Sequence, residues 1–208
     1  MNSATATVST LIHEIDRYLS GFDLAGARDV RKGIALWGEG PHQDITPRRL
    51  PPCDLLPEAL AAVSDRPLAR AIEAALPYLH WITYDAYPRA DIGEAFANGH
   101  AFTSLIGGGT FHPAEDFDLG LFVIAPNTLY RDHHHAAPEL YAPLTGPHGW
   151  RFLPDTTFHE KPAHEPVWNE PWAPHATLTG STPFLCIFGW TRDVSIPAKV
   201  IFTDEART

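Results

Sequence analysis

Twenty prolines stand in 208 residues, dense from Pro41 to Pro57 and again from Pro126 to Pro197. An interior proline removes a backbone hydrogen bond from a helix and clashes with the preceding turn, so the second tract leaves no room for long helices. Beyond Leu79 the chain reads instead as short apolar runs bounded by Gly, Pro or Asp. These are His80–Tyr87, Ala101–Ile106, Leu119–Ala125 and Phe184–Trp190, with further candidates at Glu139–Leu144, Gly149–Leu153 and Lys199–Phe202. Runs of this kind read as strands, and many short strands joined by tight turns predict a β-barrel or sandwich.

The first third reads differently. From Thr10 to about Tyr18, apolar Leu11, Ile12, Ile15, Tyr18 and Leu19 fall at helical spacing. A second amphipathic run from about Pro57 to Leu79 carries Leu60, Val63, Leu68, Ile72, Ala75, Leu76 and Leu79. Pro67 breaks it, and Asp65 caps the helix on the far side of the break. The stretch from Gly38 to Pro52 reads as loop. We therefore expect a mainly β fold: an N-terminal helical segment over residues 1–80, packed on a barrel over residues 81–208 as one structural domain.

Composition limits the partners. A formal net charge of −10 argues against binding phosphate backbones, which needs a basic surface, and disfavours docking on anionic lipid. Cys53 and Cys186 share no metal-type spacing and no disulfide framework. The opening residues lack a basic segment followed by an apolar one, and no apolar run approaches membrane-spanning length, so a cytoplasmic location is the expectation. Gly107-Gly108-Gly109 lacks the lysine and helix start of a phosphate loop and reads as a turn.

The chemistry concentrates in Tyr130-Arg-Asp-His133-His134-His135-Ala-Ala-Pro-Glu139-Leu-Tyr141. Residues two apart in a strand share a face. His133 and His135 can therefore enter one cavity, followed after a turn by Glu139 and Tyr141, while His134 faces away. Two imidazoles, a carboxylate and a phenol make a ligand set for a divalent metal. A further ligand must come from elsewhere, and His175, just ahead of the Phe184–Trp190 strand, is the best placed. A solvent-exposed polar turn is the competing reading, as is a structural metal, although closed structural sites usually recruit thiolates. A phenol beside a dication loses its proton far below its usual pKa of about 10. Tyr141 is thus a candidate general base, against the plainer role of a hydrogen-bonded core tyrosine. Tyr130, three residues before His133, is placed less strongly. Of the aromatic side chains, some could hold a cation against their ring faces.

These residues resemble the cupin superfamily. His133-x-His135-x3-Glu139-x6-Gly146 matches the metal-binding half of its first motif, with Asn127 where a glycine is usual. In the second motif His175 is present, while Trp172 and Thr179 stand where glycine and asparagine are expected. Leu129–Tyr141, Pro143-Leu-Thr-Gly146, Glu165-Pro-Val-Trp168, Pro174-His175 and Gly189-Trp190-Thr-Arg-Asp193 are similar to the cupin-type dimethylsulfoniopropionate lyases. The resemblance implies a jelly-roll-like cupin β-barrel. It further implies one divalent ion (Zn, Fe(II) or Mn) held by His133 or His135, Glu139 and His175, with Tyr141 at or near it. It also implies a β-elimination in which Tyr141 is the base, Tyr130 positions the substrate carboxylate or assists, and His133 borders the substrate. The substrate implied is a small zwitterion or carboxylate, and a homodimer is expected by analogy with other cupins. A cupin isomerase or epimerase, a dioxygenase acting on a sugar or small carboxylate, and a non-catalytic metal- or ligand-binding cupin share this ligand set and stay open.

Overall fold

The computed structural model describes residues 3–202. Residues 1–2 and 203–208, the expected ends of the helical segment and the barrel, lie outside it. Helix α1 spans Ser3–Leu19, longer at its start than the apolar pattern predicts, because Thr5 and Val8 extend the buried face of Leu11, Ile12 and Ile15. Helix α2 spans Ala25–Trp37, where the apolar pattern predicts no helix. A 3-10 turn at Pro51–Leu55 leads into α3 (Leu56–Ala62), followed by α4 (Arg66–Ala75). The break between α3 and α4 falls where Pro67 predicts it, and the Asp65 carboxylate accepts a hydrogen bond from the Leu68 N–H at 3.0 Å. Short helices α5 (Arg89–Ile92) and α6 (Glu94–Gly99) precede the sheets.

The strands are β1 (His100–Gly107), β2 (His112–Pro113), β3 (Asp118–Ile124), β4 (Leu129–His134), β5 (Glu139–Pro143) and β6 (His148–Phe152). They continue as β7 (His159–Lys161), β8 (Val167–Asn169), β9 (His175–Thr179), β10 (Phe184–Trp190) and β11 (Lys199–Val200). They form a six-stranded sheet in the order β2-β1-β3-β10-β5-β8 and a five-stranded sheet in the order β11-β4-β9-β6-β7. The expected cupin fold thus takes the form of two facing sheets, not one continuously hydrogen-bonded cylinder. His80–Tyr87 is not a strand: it makes only the isolated bridges Arg48↔His80 and Ile82↔Phe102. Its extended pairing stops where Thr83 Oγ1 turns to the Asp85 carboxylate at 2.8 Å.

Strand β10 explains how the layers stack. Successive side chains in a strand point to opposite faces. Leu185 and Ile187 join Leu121, Val123, Leu140 and Ala142 in one apolar cluster with Leu11, Leu19, Leu56 and Ile72 from the helices. Phe184, Cys186 and Phe188 face the other way, joining Phe122, Tyr141, Tyr130 and Trp150 between the sheets. Burial on both faces is why this strand is apolar without alternation. Helix α2 lies close enough to the sheets that a Cβ on Gly26 would fall 2.1 Å from the Trp168 ring, and one on Gly33 2.1 Å from the Phe117 ring. The helices therefore flank the outer wall of the six-stranded sheet and leave its inner face for the site.

Asp65 ties this helical layer together, capping α4 while Arg17 of α1 donates to it at 2.7 Å. Loss of a cap of this kind costs about 1 kcal/mol, so Asp65→Ala is expected to lower the unfolding free energy by that much, seen as a lower urea midpoint at an unchanged slope. Burial alone would raise the Asp65 pKa, but the Arg17 guanidinium and the Leu68 N–H hold it below its ordinary value. Its contribution is therefore present above pH 3.8 and lost as pH falls further, a dependence that Asp65→Ala should abolish in unfolding curves.

Candidate active site

His133 on β4 lies opposite His175 on β9, which sets both imidazoles on the inner face with ring centroids 4.2 Å apart. His135, just past the strand and two residues on, turns inward with His133, while the register shift between Tyr130 and His133 lies upstream of both. His134 points away and meets the Trp172 ring at 5.2 Å, as strand alternation predicts. Glu139 opens β5 in the opposing sheet, so the site joins the two sheets at one end.

Each imidazole is oriented by a backbone carbonyl. The Nδ1 atoms of His133, His135 and His175 lie 2.8, 2.7 and 2.9 Å from the carbonyl oxygens of Arg131, Ala137 and Ala173. A carbonyl can only accept, so each Nδ1 carries the proton and the Nε2 lone pairs are left for the centre. The ligand atoms of the three histidines lie within 4.8 Å of one another, and the Nε2 atoms of His133 and His175 are buried without a partner. Glu139 Oε2 lies 3.0 Å from His135 Nε2 and 3.7 Å from His175 Nε2. A carboxylate facing imidazole lone pairs is repulsive unless a proton or a metal cation lies between them, and this donor set fits a divalent metal. Among the described residues these histidines form the one such cluster.

The electrostatics agree with that geometry. Burial, then His175 and His135, hold His133 well below its ordinary pKa, and burial takes His175 down to about 4. Both are thus neutral, metal-competent bases near pH 7. Glu139 would be raised by burial, but His135 and His175 hold it below its usual value. Its oxygens also accept from the Trp190 indole N–H at 2.7 Å and from the Asn169 amide at 3.0 Å. The sequence pattern places Trp190 in ordinary core and gives no sign of Asn169, which no periodicity marks.

Tyr141, on the inner face of β5, is 4 % exposed and packs near Trp150. Burial, and then the Glu139 carboxylate, raise its pKa well above the ordinary value. Tyr130 is stacked between the rings of Phe96 (4.0 Å) and His133 (3.9 Å), with its hydroxyl 2.8 Å from that of Tyr87. Every residue singled out in the sequence therefore meets here: Tyr130, His133, His135, Glu139, Tyr141 and His175 are all buried. All but His175 line a cavity of about 160 Å³, with Tyr84, Phe102, Phe188 and Trp190 among its aromatic walls. Of the remaining histidines, His100 is satisfied by the Phe96 carbonyl and the Tyr84 N–H. His112 is buried with unpartnered ring nitrogens, and His148 with an unpartnered Nε2 while its Nδ1 accepts from the Trp150 indole; neither lines the cavity. Gly146 of the first motif serves the backbone, since a Cβ there would fall 2.5 Å from the Ala163 nitrogen.

The dimethylsulfoniopropionate lyase family model matches residues 28–186, about three-quarters of the chain. The chain belongs to the dimethylsulfoniopropionate lyase family. It is accordingly a carbon–sulfur lyase. No curated protein matches it by sequence. Among solved structures, one described as "DMSP lyases RdDddP and RnDddQII" superposes with a TM-score of 0.75 at 21 % identity, covering 96 % of this chain and all of the other. The DMSP lyase DddQ from Ruegeria pomeroyi DSS-3 superposes at 0.70 with 24 % identity, covering 91 % and 97 %. At these identities the superpositions establish the shared fold. No helix among the described residues is long and apolar enough to cross a membrane.

One cavity residue was not anticipated. Asp118, the first residue of β3, lines the same cavity with its Oδ1 buried and unpartnered. Burial pushes its carboxyl up to about 7, against a smaller opposing effect of the Ser104 hydroxyl. An acid whose folded pKa is raised holds its proton where the unfolded chain has lost it, so stability falls as pH rises from 3.8 through about 7. In the metal-free protein Asp118→Asn is expected to remove this part of the slope, at most about 1.4 kcal/mol per pH unit. Denaturant unfolding of both proteins at a series of pH values checks it.

Proposed function

We propose that this lyase cleaves dimethylsulfoniopropionate to dimethyl sulfide and acrylate by β-elimination, with one divalent cation held by His133, His135, Glu139 and His175 and with Tyr141 as general base. The supporting observation is the convergence of three carbonyl-oriented imidazoles, two of them beside Glu139, next to the cavity that Tyr141 also lines. A bound cation (Zn, Fe(II) or Mn) would supply Lewis acidity to the substrate carboxylate and to the Tyr141 phenol, easing ionisation of the phenol and of the C–H beside the carboxylate. The acidic chain and its small cavity suit a small zwitterionic or carboxylate substrate, not a nucleic acid or lipid surface.

Tyr141 Oη accepts the proton from the carbon beside the carboxylate. The C–H electron pair becomes the new C=C bond, and the bond from the β-carbon to sulfur breaks with its pair on sulfur. Neutral dimethyl sulfide and acrylate result, with the proton left on Tyr141, so atoms and charge balance. Tyr130, fixed by its stacking between Phe96 and His133 and by the Tyr87 hydroxyl, positions the carboxylate end beside His133. The ring faces of Tyr84, Phe102, Phe188 and Trp190 exclude water and attract the sulfonium. Because burial otherwise keeps Tyr141 protonated, the base and the metal ligands must act together.

Two measurements test this reading. Chelator-treated protein is expected to lose dimethyl sulfide release in a headspace assay and to regain it when one equivalent of divalent metal is returned; His175→Ala should not be rescued. Tyr141→Phe is expected to keep its metal content while kcat falls by about 10²-fold or more, the usual contribution of a positioned base. Unchanged turnover in that variant would remove the tyrosine from the mechanism.

A further inference from the structure

The cavity walls carry two acidic side chains, Glu139 and Asp118, and no lysine or arginine. Glu139 is accounted for by its imidazole, indole and amide neighbours. Asp118 is only partly so: the Ser104 hydroxyl bonds to its carboxyl, but its Oδ1 is buried without a hydrogen-bond partner, and an unmatched polar atom in such surroundings is costly. The sheet register says where it stands. Asp118 pairs with Trp190 across β3 and β10, and Trp190 pairs with Glu139 across β10 and β5. Directly opposed residues share a face, and neighbouring strands lie about 4.8 Å apart, so the backbones carrying the two carboxyl groups are about 10 Å apart with Trp190 between them. The Trp190 indole is committed to the Glu139 side, donating to Oε1 and stacking on His135 at 4.8 Å. Phe102 and Phe188, edge to face at 5.9 Å, also line the cavity.

We propose that Asp118 is the counter-ion for the sulfonium end of the substrate, binding it opposite the histidine and Glu139 cluster and so selecting a zwitterion over a plain carboxylate. This rests on the lyase reading above. The chemistry has a consequence for turnover. Cleavage turns the cation into a neutral sulfide, which erases its attraction to Asp118 and to the ring faces alike, so the product is not held by the contacts that held the substrate. A cation beside Asp118 also favours its ionised form, offsetting the burial that raises its pKa to about 7.

The test compares metal-loaded wild type with Asp118→Asn in dimethyl sulfide release. It adds 3-(methylsulfanyl)propionate, which keeps the carboxylate and lacks the positive charge, as a competitive inhibitor. The expected result is a KM for the sulfonium substrate raised about tenfold or more, a kcat within about threefold, and an unchanged inhibition constant for the neutral thioether. Asp118→Ser, which removes the carboxyl without filling its place, should give the same split should the amide not fold. An unchanged KM, or equal weakening of both ligands, overturns the assignment. An inactive metal-loaded wild type overturns the lyase reading and this assignment with it, whereas an active wild type with an indifferent Asp118→Asn overturns the assignment alone.

Discussion

The site depends on one electrostatic conflict. Glu139 Oε2 stands 3.0 Å from His135 Nε2 and 3.7 Å from His175 Nε2, while the opposite nitrogen of each ring is bound to a backbone carbonyl. Backbone oxygens cannot donate, so the tautomers are set, and lone pairs face a carboxylate in a buried pocket. Only positive charge relieves that arrangement: a proton on His135, whose pKa rises because Glu139 outweighs burial, or a metal shared by all four groups. The Trp190 indole on Oε1 and the Asn169 amide on Oε2 anchor the carboxylate in place.

The scaffold makes this possible by giving each sheet one part of the site. The five-stranded sheet carries His133 and His175, with His135 at the end of its β4 strand, and the six-stranded sheet carries Glu139 and Tyr141. Relative placement of the sheets therefore determines the distance from imidazole to carboxylate. That placement is held by aromatic packing between the sheets around Trp150, Tyr141 and Phe184, while the helical layer packs on the outer face of the six-stranded sheet. Fully buried side chains between the sheets such as Trp150 and Phe184 leave little freedom for the sheets to slide, because close-packed interiors transmit strain instead of absorbing it.

Legibility in the sequence tracks periodicity. The stretch from Tyr130 to Tyr141 could be read because strand alternation sorts His133 and His135 from His134 without knowledge of any distant partner. Asp65 and Pro67 marked a helix start by local chemistry alone. Helix α2 escaped because Gly26 and Gly33 weaken a helical pattern, yet those glycines are what let the helix approach Trp168 and Phe117. His80–Tyr87 misled because its apolar composition looks like a strand even where only isolated bridges form. Asn169 and Asp118 could not be found from sequence, since each owes its place to pairing across strands far apart in the chain. Glu139 meets Asn169 through β5 and β8, and Asp118 meets Trp190 through β3 and β10.

The same register argument explains why the triple histidine is not interchangeable. Sliding β4 by one residue against β9 would exchange the faces of every side chain on it, turning His134 inward and His133 toward solvent. Tyr130 would leave its stack with Phe96 at the same moment, because it and His133 are held in one continuous column of rings. The irregularity between Tyr130 and His133 lets two residues three apart meet on one face, which regular alternation forbids. Ligand geometry and the tyrosine that borders it are therefore set by a single local distortion of one strand, and neither can be lost without the other.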